Sequence, residues 1–104
     1  MMAGKKAADL LSMAQRAGKV ASGSFAANQA METGRAVLLL VAEDASEATK
    51  RDMAMRAEKC QVPMIVCLTK EEMGHCLGRG DRAVAVLLDR GFSKALEERL
   101  RGAG

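Results

Sequence analysis

The sequence predicts an α/β protein, a three-layer α/β/α sandwich around a four-stranded mixed sheet. Short apolar runs alternate with helical patterns along the whole chain, the arrangement that layers helices over a sheet. Two of those runs, VLLLVA at Val37 to Ala42 and AVAVLL at Ala83 to Leu88, carry no charged or polar residue, as strands do when helices cover both of their faces. Glycine, proline and capping residues mark the ends of the segments. The 104 residues form one domain, residues 1–104, with chain enough for one modest core.

Ala7 to Ala17 places Leu10, Met13, Ala14 and Ala17 at helical spacing, with Arg16 outside and Gly18 ending the helix. Val20 and Ala21 make a short strand. Gly23 and Gly34 then bracket FAANQAMET, a helix whose apolar side is Ala27, Ala30 and Met31. Ser24 suits its cap, and Gly34 the left-handed position beyond its end. The VLLLVA strand leads to Glu43, Asp44, Ala45 and Ser46, carboxylates and a hydroxyl suited to the exposed N–H groups of the following helix.

That third helix spans Glu47 to Cys60, its charges interleaved with Ala48, Met53, Ala54, Ala57 and Cys60, and its methionines read as adaptable core packing. Pro63 forbids its continuation and opens a strand over Met64 to Leu68. Thr69 and Glu72 have the spacing of a capping box for a short helix at 70–77. Gly78 to Arg82 is a charged loop, Ala83 to Leu88 the fourth strand, and Gly91 to Arg101 an amphipathic helix carrying Phe92, Leu96 and Leu100.

Composition narrows the function. Only Phe25 and Phe92 are aromatic, so Ala, Val, Leu and Met build the core. No apolar run reaches the roughly 20 residues of a membrane span, and the N-terminus lacks the continuous apolar centre of a secretion signal; the expected location is the cytoplasm. Cys60, Cys67 and Cys76 are odd in number and form no CxxC pair, which argues against a disulfide framework and a zinc site and for reduced thiols. His75 adjoins Cys76, but neighbours on a helix point about 100° apart. Residues 1–35 hold five basic and two acidic side chains, 36–78 five and seven, and 79–104 six and four. The basic excess at both ends favours a polyanion partner only weakly, since solvated faces give similar counts.

No GxxxxGK[ST] or GxGxxG phosphate motif occurs. Glu43 and Asp44 follow a strand, but no serine, histidine or lysine is placed by spacing to work with them, and helix capping accounts for them. The sequence reads as non-enzymatic, with no catalytic residue, metal or cofactor expected. One place stands out. The helix start at Gly23 and Ser24 offers N–H groups to phosphate; Phe25, Ala26 and Gln29 lie within one turn; Asn28 and Gln29 suit base edges and Phe25 suits stacking. Burial of Phe25 in the core, with the amides as solvated surface, is the simpler account of the residues alone.

SMAQRAGKVASG, a helix ending METG, VLLLVAEDASEATK and VPMIVCLTKEEMGHCLGRGDRAVAVLLDRGFSKAL together resemble the L7Ae/L30e ribosomal protein superfamily, in particular its bacterial YlxQ-like members. The resemblance runs from about Ala8 to Leu96. It implies the same sandwich and, as in many members, binding to kink-turn RNA or another structured or ribosomal RNA. Kink-turn binders open the helix after the first strand with Gly, any residue, Asn, Glu, two residues and Lys. Here Gly23 matches, while Phe25, Ala26 and Gln29 stand in the Asn, Glu and Lys places. Phe and Ala cannot make those polar contacts, and Gln keeps a donor without charge. The resemblance also implies an RNA-facing loop before the last strand, here Gly78 to Arg82 with Arg79 and Arg82 as contacts. The competing expectation is a protein-interaction module, engaging a partner or a second copy through Phe25 and Ala26. Exposure separates the two: an exposed Phe25 with basic neighbours supports RNA, an apolar rim a protein.

Overall fold

A computed structural model describes the backbone of residues 2–102 and the surroundings of side chains 6–101; the extreme ends of the predicted domain and the Lys5 side chain lie outside that description. The elements are α1 (Met2–Arg16), β1 (Val20–Ser22), α2 (Ser24–Glu32), β2 (Leu38–Val41), α3 (Glu47–Cys60), β3 (Met64–Val66), α4 (Lys70–Cys76), β4 (Val84–Leu87) and α5 (Arg90–Gly102). Every predicted helix and strand is present. The strands are shorter than their apolar runs: Leu68 leaves the extended conformation at φ 65°, and Leu88 continues β4 only through its N–H, which donates to Lys19 O at 2.9 Å.

The sheet order is β1-β4-β2-β3. β4 runs antiparallel to both β1 and β2, and β2 runs parallel to β3, so the sheet is mixed as expected. All of β2 and all of β4 are buried. These central strands therefore need cover on both faces. It comes from two groups of helices, α1 packed with α4 and α5, and α2 packed with α3. Leu38, Leu39, Leu40, Val84 and Val86 are buried almost completely, each stabilising the fold by roughly 1.5–3 kcal/mol.

Three details depart from the sequence pattern. The buried row of α1 is Ala7, Leu10, Leu11 and Ala14, whereas Met13 and Ala17 are exposed. Met13 lies about 110° from the middle of that row at 100° per residue, and Ala17 follows the last helical residue. In α3 only Met53 and Ala57 are buried, while Ala48 and Met55 face outward and Met55 is 67% exposed. Its methionines are thus divided between core and surface. At the start of α2, Gly23 rather than Ser24 is the cap, and no side chain caps that end. Ser24 already occupies the first helical position, where its hydroxyl is too far along the chain to act as the cap.

Other local signals hold. The Ser46 hydroxyl accepts from Thr49 N–H at 3.1 Å and caps α3. Thr69 Oγ1 accepts from Glu72 N–H at 3.1 Å while Glu72 Oε1 accepts from Thr69 N–H at 2.8 Å, completing the capping box of α4. Gly34 lies at φ 76° beyond α2, as its position required. Among the described residues no helix is long and apolar enough to cross a membrane.

Candidate functional site

Strand directions gather the loops that matter at one end of the sheet. Because β1 and β2 both run antiparallel to β4, the residues leaving β1 and β2 lie beside those entering β4. Ser22 is opposite Ala85 and Val41 opposite Val84. Gly23 N–H donates to Val84 O at 2.9 Å, and Ala42 N–H to Ala83 O at 2.8 Å. The start of α2 thereby meets the Gly78 to Arg82 loop, although some 55 residues separate them along the chain.

Gly23 makes the corner. It holds φ 93° and ψ 155°, a conformation that side chains disfavour strongly, and it turns an extended strand directly into a helix. No side chain caps α2 and no acidic residue lies in its first turn, so the positive end of the helix dipole is unopposed.

Phe25 is 84% exposed. Its burial in the core, the simpler account from residues alone, is therefore overturned: Ala27, Ala30 and Met31 form the inward side of α2, and Phe25 points away from them. An open cleft of about 460 Å³ lies between α2 and the loop, lined by Ser22 to Ala26 and by Asp81 to Val84. On its other side Phe25 borders a smaller hollow with Ser24, Asn28, Asp52, Met53 and Arg56. Phe25 thus borders both hollows, one lined by Arg82 and the other by Arg56.

Of the predicted residues, Gly23, Ser24, Phe25 and Arg82 share the cleft, and Asn28 flanks Phe25 on the α3 side. Gln29 and Arg79 are exposed but line neither hollow. Arg56 was not singled out in the sequence. Its ion pair with Asp52 at 3.0 Å is a visible i,i+4 pattern, yet nothing local says that α3 packs beside α2. Asp52 neutralises Arg56 in part, and Asp81 lies beside Arg82. Among the described residues Arg82 forms no salt bridge; its Nη1 donates to Asp81 O at 3.0 Å.

The other singled-out groups take structural roles. Asp44 Oδ1 accepts from Lys70 N–H at 2.8 Å and so satisfies the first N–H of α4, whose cap is Thr69, and not an N–H of the α3 helix that follows it in sequence. Burial, reinforced by Glu43 and Glu72, pushes the Cys67 thiol from 9.0 up to about 11. Burial also raises Cys76, whose Sγ donates to Ala8 O at 3.3 Å. These are protonated, poorly nucleophilic thiols at neutral pH. Among the described residues no His, Cys, Asp and Glu cluster is arranged to hold a metal ion.

Residues 5–97 match the Ribosomal protein L7Ae/L30e/S12e/Gadd45 family. The chain is 31% identical over 98 residues to the RNA-binding protein YlxQ of Enterococcus faecium, covering 94% of each sequence. It is 32% identical over 95 residues to the RNA-binding protein YlxQ of Bacillus subtilis, covering 91% of this chain and 95% of that protein. A Bacillus halodurans protein of unknown function superposes with a TM-score of 0.87 at 27% identity, over 92% of this chain and 97% of its own. The Giardia lamblia 15.5kD RNA binding protein superposes with a TM-score of 0.79 at 16% identity, over 98% and 88%, and shares the fold.

Proposed function

The chain belongs to the ribosomal protein L7Ae/L30e/S12e/Gadd45 family, and from that premise we propose that it is a single-domain, non-catalytic RNA-binding protein of the cytoplasm. Its target is a structured RNA, ribosomal or of kink-turn type. The relatives named as RNA-binding proteins, matched over nearly their whole length, support this reading.

The observation that carries the site is the exposed Phe25 at the uncapped N-terminus of α2, bordering one hollow lined by Arg82 and another lined by Arg56. Phosphate sits on the N–H groups of Ser24 to Ala26 and on Arg82, the Gly23 N–H being held by Val84 O, while Phe25 stacks on an unpaired base and Asn28 reaches a base edge. Gln29 and Arg79 contribute from the periphery. With Phe25 and Ala26 in the places where kink-turn binders carry Asn and Glu, stacking replaces part of the polar recognition of the base pairs. Two apolar side chains on this side of the molecule, Phe25 and Met55, favour a second reading in which a protein partner or a second copy covers them. The flanking arginines weigh for RNA.

Direct binding to a kink-turn RNA and to an unrelated hairpin, across a salt series, tests the reading. Binding that weakens steeply with salt is expected, with preference for the kink-turn if Phe25 and Gln29 substitute for the missing polar groups. No binding to either RNA at low salt would sink the RNA reading and leave the protein partner.

A further inference from the structure

From the packing of α4 against the Gly78 to Arg82 loop, we infer that Gly74 is a positioning residue for Arg82 in the RNA site, an inference that rests on the RNA-binding reading. Gly74 is buried within α4. A Cβ at this position overlaps the Gly80 carbonyl oxygen, 2.7 Å from the Gly80 carbonyl carbon and 3.0 Å from Asp81 Cα. All three atoms are backbone, so no side chain can swing aside. The loop lies directly on the bare helix surface that only glycine leaves.

Two hydrogen bonds fix the loop on this seat. Arg79 N–H donates to Gly74 O at 2.9 Å, and Arg82 N–H donates to Lys70 O at 3.1 Å. Lys70 is itself held from the other side, its N–H donating to Asp44 Oδ1. The seat therefore joins the turn after β2, the first residue of α4 and the loop that carries Arg82 into the cleft beside Phe25. Helix propensity alone favours alanine at position 74. What glycine supplies here is the close approach, and lifting the loop moves Arg82 relative to the α2 N–H groups.

The test is Gly74→Ala, alone and combined with Arg82→Ala, with the kink-turn RNA as probe. Gly74→Ala should weaken binding about as much as Arg82→Ala, on the order of tenfold for one charge-assisted contact, and lower the salt slope by roughly 0.7–0.9. In the Arg82→Ala background it should add almost nothing further. Unchanged affinity and slope, or full additivity, overturns the inference, because a glycine that matters only for stability does not alter the number of phosphates engaged by the folded protein. Amide hydrogen exchange gives a readout independent of RNA: Gly74→Ala should expose the Arg79 and Arg82 amides while the β2 and β4 amides stay protected. Should the unaltered protein bind no RNA, the RNA reading falls, and the seat is judged by exchange alone. Retained protection at Arg79 and Arg82 then removes it.

Discussion

Gly23 N–H donates to Val84 O at 2.9 Å, and this bond joins the residue that opens α2 to the residue that opens β4. It sets the start of a helix against the end of a distant loop and so defines the cleft. The bond depends on the backbone of Gly23 at φ 93° and ψ 155°. Gly23→Ala should cost ~1–3 kcal/mol in conformational strain. A Cβ there meets nothing within 4 Å, so the loss is purely torsional. Chemical denaturation measures it; an unchanged midpoint would show that the corner relaxes without penalty.

Phe25 offers the opposite case. At 84% exposure, Phe25→Ala should change unfolding free energy by no more than about 0.5 kcal/mol. RNA affinity should fall on the order of tenfold, within the range of base–aromatic stacking. A stability loss of about 3 kcal/mol in the same denaturation experiment would mean that the ring is core.

The two loop arginines should separate. Arg82 lines the cleft and Arg79 does not, so Arg82→Ala should weaken RNA binding more than Arg79→Ala. Replacing both should flatten the salt dependence further, each engaged phosphate contributing roughly 0.7–0.9 to the slope. Equal, negligible effects in a salt titration would remove the loop from the site.

Cys67 makes a prediction about pH. Its thiol is raised to about 11 in the folded protein from 9.0, first by burial and then by Glu43 and Glu72. The unfolded chain therefore releases this proton at a lower pH than the native protein. The stabilising contribution is complete below about pH 9 and is lost as pH rises towards 11, up to ~2 kcal/mol. No tyrosine is present to confuse that window. Denaturant titrations at successive pH values should show the decline, and Cys67→Ala should flatten it despite its own packing cost. An equal decline in the variant would assign the alkaline limb to other groups.

Local signals sufficed wherever the deciding interaction lies within a few residues. The Thr69 and Glu72 box, the Ser46 cap, Gly34 beyond α2 and the apolar β2 and β4 runs all appear as read, because a cap or a fully covered strand is specified by its own segment. Ser24 and Asp44 misled for a shared reason. Each has a capping side chain near a helix start, but the chain path gives the α2 cap to Gly23 and turns Asp44 towards Lys70, 26 residues away.

Fold class, order of elements and family resemblance depend on periodicity, punctuation and motifs along one chain, and all three are legible in the residues alone. That Phe25 is outside, and that Arg82 rather than Arg79 shares its cleft, follows from tertiary packing. It alone added Arg56 from α3 and set Gly74 beneath the loop. The physical reason is pairing: β4 lies between β1 and β2 and runs against both, so the neighbours of Gly23 are chosen by a strand that begins some 60 residues later.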